Sequence, residues 1–191
     1  DIGNYINNYA IGDDCYISNV CTMETTEGAT YGEGNLISVL NEVGNGNVIL
    51  YHGLNSQFAA FMVKHAGNRP LKDAIRRLIN EEIERNSHEC GTIGNNVKIV
   101  NTKEITNTVI YDDCEISGAS RLSDCTIMSS ADANVFIGTG VICENSIISD
   151  GSSIINSVKM QDCFVGEACQ ISNGFTASSS VFFAKRYMSN G

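Results

Sequence analysis

His52, His65 and His88 are the side chains of this sequence that can both take and release a proton near neutral pH. His52 is the best placed of the three to act as a base, because it follows directly on the apolar rhythm that ends at Val48. Glu42 could orient His52 or bind an amine, although its plainer reading is a solvated turn carboxylate. Lys185 and Arg186 form a cationic pair suited to phosphate. A polar series, Asp13, Glu33, Asn95, Asp112, Asp150 and Glu167, could offer oxygens to Ca²⁺. The G-G-x-G-x-D pattern is absent, however, and corner formation accounts for the series, so no metal site is expected. Gly32-Glu33-Gly34 and Gly44-Asn45-Gly46 read as turns, since no P-loop or dinucleotide fingerprint accompanies them. No G-x-S-x-G, H-E-x-x-H or C-x-x-C occurs, which argues against a serine hydrolase and a zinc enzyme.

The elements that must carry these residues follow from a repeat. Ile93, Ile99, Ile105, Ile110, Ile116, Leu122 and Ile127 lie at intervals of 6, 6, 5, 6, 6 and 5, a period of 17. After a four-residue slip at 129–132 the rhythm resumes at Ile137, Cys143, Ile148, Ile154, Met160, Val165, Ile171, Ala177 and Phe182. Upstream, Tyr31, Ile37, Val43 and Val48 repeat the pattern, and Ile11, Ile17 and Met23 supply most of a further turn. This is neither a helical period nor simple strand alternation. It predicts a three-sided solenoid of about seven coils, each side giving one large apolar residue to the interior and each corner turned by Gly, Asn, Asp or Ser.

A second column is small: Cys15, Val97, Cys114, Ser152 and Cys169 on one side, and Thr108, Cys125, Ser146, Cys163 and Ser180 on the five-residue side. Cys15, Cys21, Cys114, Cys125, Cys143, Cys163 and Cys169 are therefore read as compact core residues rather than disulfide or metal ligands, and the cytoplasm is the expected compartment. With 12 basic against 22 acidic residues the chain carries a formal charge of -10, which disfavours nucleic acid and anionic membranes as partners.

The period vanishes between Val48 and Ile93. There Asn55 or Ser56 can cap a first helix, Gly67 lies where a C-cap belongs, Pro70 fits the start of a second helix, and Leu71, Ile75, Leu78, Ile79 and Ile83 form one apolar stripe. That stripe must pack on the first helix, on a flank of the solenoid or on another subunit. The expected organisation is one structural domain: first coils over 1–48, a helical hairpin insertion over 49–92, continuing coils over 93–182 and a terminal segment over 183–191.

The hexads beginning Ile11-Gly12-Asp13-Asp14-Cys15, Ile93-Gly94-Asn95-Asn96-Val97 and Val165-Gly166-Glu167-Ala168-Cys169 resemble the hexapeptide repeat of left-handed parallel β-helix transferases. SVLNE at Ser38 to Glu42, GASRL at Gly118 to Leu122 and IGTGVIC at Ile137 to Cys143 look like an uncharacterised bacterial family of longer chains, so a fragment of a longer protein is expected. The resemblance implies a mainly β fold, a left-handed parallel β-helix with a helical insertion. It further implies a transferase acting as a homo-oligomer such as a trimer, with acyl-CoA as cosubstrate and a sugar or amine as acceptor. On that reading His52 is the base that takes a proton from the acceptor, and Lys185 and Arg186 meet a CoA phosphate. The rival expectation is a noncatalytic β-helix that oligomerises or regulates a sugar nucleotidyltransferase, since one scaffold serves both classes.

Overall fold

The computed structural model describes residues 5–39 and 46–190. The protein is mainly β, with two long parallel sheets of eleven and seven strands, a two-stranded antiparallel hairpin and two helices among the described residues.

Three apolar columns run through the parallel sheets. In the seven-stranded sheet Ile17, Ile99, Ile116, Ile137, Ile154, Ile171 and Met188 pair in register. In the eleven-stranded sheet Met23, Ile105, Leu122, Cys143 and Met160 form a second column, and Ile93, Ile110, Ile127, Ile148 and Val165 a third. Most are fully buried and pack as one cluster. Each full burial of such a side chain contributes about 1.5–3 kcal/mol, which is why one Ile per side is enough to hold so short a strand.

From Ile93 onward partners lie 17 residues apart, as in Ile99 against Ile116, except across 129–132, where Leu122 pairs with Cys143 and the four extra residues are spliced in. Corners fall on residues with positive φ, including Asn96 (55°), Asp113 (56°), Asn107 (47°) and Asp124 (52°). Asn and Asp tolerate that conformation and bond along the stack: Asn95 Oδ1 accepts from the Asp13 amide at 2.8 Å, and Asp112 Oδ1 from the Asn95 amide at 2.7 Å. Asn95 and Asp112 of the polar series thus tie neighbouring corners together. Among the described residues no group of three or more His, Cys, Asp or Glu converges as a metal site.

The interruption is larger than its helices. Ile11 pairs with Ile93, Ile17 with Ile99 and Met23 with Ile105, all 82 residues apart rather than 17, so 65 residues are inserted, from Thr26 to Cys90. The expected second coil over Tyr31, Ile37, Val43 and Val48 does not form; Val43 itself lies outside the described residues. Ile37 instead pairs with Val48 in the antiparallel hairpin of strands Leu36–Ser38 and Asn47–Ile49. Of the spaced residues, Ile37 and Val48 are the two that face one another across this hairpin. Gly91 marks re-entry into the sheet, where a Cβ would collide with Tyr9 and Thr25. The expected terminal segment also differs, since strand Tyr187–Ser189 pairs in parallel with Gln170–Ser172 and continues the sheet.

Within the insert, α1 (Ser56–Lys64) is capped by Asn55, whose side chain accepts from the Phe58 amide at 2.9 Å. It ends at His65, two residues before Gly67. Helix α2 (Arg69–Arg85) is capped by Asn68 and carries Pro70 in its first turn. Ile75 and Ile79 of its stripe are buried, whereas Leu78 is 63% exposed. Together with Ile37, Val48, Leu50, Leu54 and Met62 they form a second core, closed by Ile147 and Phe164 from the outer face of the eleven-stranded sheet. The insert therefore packs on a flank of that sheet.

Candidate functional site

The insert brings a carboxylate to His52 from a turn. Glu33 sits between Gly32 (φ 81°) and Gly34 (φ 78°), both in the left-handed region that favours glycine. A Cβ at Gly32 would lie 2.6 Å from the Asp124 carbonyl oxygen, so this glycine also lets the insert backbone touch the sheet. Next to it, the Thr126 hydroxyl donates to the Tyr31 carbonyl at 2.9 Å. Thus anchored, Glu33 Oε1 lies 2.8 Å from His52 Nδ1 and accepts from the His52 amide at 3.2 Å. The other ring nitrogen, Nε2, faces Asn86 Nδ2 at 3.4 Å and Glu82 Oε1 at 3.6 Å, both on the last turns of α2. Asn86 is held in turn by the Glu82 carbonyl at 2.9 Å, and Glu82 by Arg85 at 2.8 Å.

The Glu33 hydrogen bond raises the His52 pKa above its ordinary 6.5; partial burial opposes it, and the charge of Glu33 and the proximity of Glu82 add to it. With Glu33 accepting at Nδ1, the neutral ring carries its proton there and its lone pair on Nε2. That is the arrangement of an oriented general base.

His52 borders a cavity of about 400 Å³ between the insert and the sheet, lined also by Asn55, Gln57, Glu167, Phe182, Phe183 and Ala184. A second cavity, of about 160 Å³, lies on the Glu33 side against Tyr31, Asn86, His88 and Tyr111. A third, of about 640 Å³ and mostly apolar, separates α1 from the strand edge and shares Phe182 and Phe183 with the His52 cavity.

The other sequence candidates are distributed as follows. Lys185 and Arg186 are exposed in the segment directly after Ala184, their backbones fixed by Lys185 donating to Glu167 and Arg186 accepting from Gln170, each at 2.7 Å. Neither lines the His52 cavity, whose lining includes their neighbour Ala184. His65 ends α1 with its ring 4.6 Å from that of Phe61, away from His52. His88 sets Nδ1 3.2 Å from the Thr92 hydroxyl and its ring edge-on to Tyr31, and burial lowers its pKa. Glu42 lies outside the described residues. Glu33, read from sequence as a turn or corner residue, is the carboxylate in contact with His52. The Gly-Glu-Gly triplet was the available signal, since two flanking glycines put a side chain on a sharply turned, closely packed backbone. Cys21 is exposed and not in the core, while Cys114, Cys125, Cys143, Cys163 and Cys169 are buried and all eight cysteines are free.

The fold and site define a mainly parallel-β protein with a mixed α/β insert that carries a carboxylate–histidine pair. Residues 1–191 match the family described as Domain of unknown function (DUF4954), and the chain belongs to that family. It is similar to an uncharacterized protein of Treponema pallidum (strain Nichols), 24% identical over 161 residues, which cover 78% of this chain and 22% of the relative. The chain thus spans about a fifth of the curated relative it matches. No solved structure matches it. No helix among the described residues is long and apolar enough to cross a membrane.

Proposed function

We propose that the chain is a left-handed parallel β-helix of 17-residue coils and that it serves, in the cytoplasm, as part of an acyltransferase moving an acyl group from a CoA thioester to a sugar or amine. The observation that carries this reading is the 2.8 Å contact of Glu33 with His52 Nδ1, which puts the lone pair of the neutral ring on Nε2, next to Asn86 and Glu82, in a residue that borders a cavity large enough for a small substrate. In the reaction the acceptor nitrogen or oxygen attacks the thioester carbonyl carbon while its proton passes to His52 Nε2. The carbon–sulfur bond then breaks, and the imidazolium returns the proton to the CoA thiolate. Glu33 acts as a positioning residue throughout, holding the tautomer and stabilising the imidazolium. Lys185 and Arg186, which follow Ala184 of the cavity lining in the chain, supply cations for CoA phosphates.

The test is calorimetric titration of the full-length protein with acetyl-CoA, joined to turnover of a His52→Ala variant. Binding, with turnover reduced about a hundredfold or more in the variant, is the expected result. The wild-type rate should fall as pH drops through the raised pKa of His52. No binding at millimolar CoA ester would sink the acyl-transfer reading.

The alternative of a noncatalytic β-helix that assembles or regulates a sugar nucleotidyltransferase is favoured by the length of the Treponema relative, most of which lies outside the matched region. It predicts that the His52→Ala variant leaves every activity of the full protein intact.

A further inference from the structure

The 640 Å³ cavity carries an inference about what the site holds. Among the described residues its insert wall includes Ala60 and Val63 of α1 and its sheet wall Phe182, Phe183 and Met188, with Ser38, Ser179, Ser180 and Lys64 as its polar members. The wall is mostly apolar, so most hydroxyls of a sugar, or the charge of an amine, would lose water there without finding partners. It suits a saturated chain. The cavity adjoins the one that His52 borders, since Phe182 and Phe183 line both. Phe183 is itself 43% exposed.

From this adjacency we propose that the apolar cavity binds the hydrocarbon chain of a medium- to long-chain acyl-CoA, with the thioester carbonyl reaching the His52 cavity along Phe182 and Phe183. The proposal rests on the acyl-transfer reading and deepens it by naming the donor class. Three features then lie in the order such a donor needs. Apolar walls take the chain, His52 borders the adjoining cavity that would receive the carbonyl, and the exposed Lys185 and Arg186 follow Ala184 of that cavity's lining in the chain. An acetyl donor would leave the larger cavity unused.

Burial of a methylene improves affinity by about fourfold, so the gain from acetyl to octanoyl should reach at least about a hundredfold even with incomplete burial. The experiment is calorimetric titration of the full-length protein with acetyl-, octanoyl- and dodecanoyl-CoA, in the wild type and in Ala60→Trp and Val63→Phe variants that fill the cavity. Circular dichroism checks that each variant is folded. The expected result is affinity that climbs with chain length in the wild type and a chain-length gain that collapses to less than about tenfold in either folded variant. Equal affinity for acetyl- and octanoyl-CoA in the wild type overturns the proposal, and so does a gain that survives in both variants.

The two readings separate cleanly. Acetyl-CoA turnover that depends on His52 but shows no preference for chain length removes the chain site and keeps acyl transfer. Tight, chain-length-dependent binding with no His52-dependent turnover keeps the chain site and removes acyl transfer.

Discussion

His52 and His88 face opposite electrostatic conditions within one insert, and their pKa values move apart accordingly. Hydrogen bonding to Glu33 raises that of His52, while burial lowers that of His88. A group whose pKa is higher in the folded state stabilises that state fully below its unfolded value, here 6.5, and the contribution is lost as pH rises through the folded value. For His88 the sign reverses. Below 6.5 the unfolded chain takes up a proton that the folded state resists, so acidification favours unfolding there. A global melting curve sums the two effects, and the informative measurement is residue-specific. NMR titration of the imidazole signals should place His52 above 6.5 and His88 below it, and Glu33→Gln should bring His52 down while leaving His88 on the low side. If the His52 midpoint is unmoved by Glu33→Gln, the oriented-base description fails.

At the scale of the element, the same residue type does two different jobs in the sheet interior. Cys125 occupies a corner slot in register with Thr108 and Ser146. Its thiol reaches the Ser123 carbonyl at 3.2 Å, as the hydroxyls of Thr108 and Ser146 reach the carbonyls of Thr106 and Glu144 at 2.8 and 2.7 Å. The slot asks for a small side chain with a donor. Cys143 instead stands in an apolar column between Leu122 and Met160 and is fully buried there. Burial pushes the Cys125 thiol up to about 12 and Cys143 well above its ordinary value, so both are protonated, inert core groups at neutral pH. Cys125→Ser should therefore change stability by less than about 0.5 kcal/mol, whereas Cys143→Ser should cost about 1–3 kcal/mol for a hydroxyl buried without a designed partner. Chemical denaturation of the two variants checks the contrast, which equal losses would refute.

For the whole molecule, the decisive feature is that the 65-residue insert leaves the sheet and returns to it without disturbing register. Joining Thr25 directly to Gly91 should restore an unbroken 17-residue step. Val109, Ile147 and Phe164, buried on the outer face, would then meet water unless replaced. A protein lacking Thr26 to Cys90 and carrying Val109→Thr, Ile147→Thr and Phe164→Thr is expected to fold cooperatively with a β circular dichroism spectrum. The deletion alone is expected to aggregate through that apolar face. An unfolded triple variant would show that the parallel sheets depend on the insert.

The repeat, its four-residue slip, the corner residues and both helices were legible in the order of residues. Each is local: a fixed spacing of one large side chain per short strand, a tolerant residue at each bend, a cap at each helix start. The apolar neighbours Val109-Ile110, Ile147-Ile148, Phe164-Val165 and Val181-Phe182 also carried a message, since strands covered on both faces cannot alternate polar and apolar residues. They mark the flank on which the insert lies. Only the tertiary structure decided that Ile37 and Val48 belong to a hairpin and that Glu33, 19 residues before His52, is the carboxylate against its ring. The physical reason is that a spacing of 6, 6 and 5 determines which side chains can face inward, while pairing direction and contacts between distant turns depend on which buried surfaces fit one another. That fit is a property of the packed molecule.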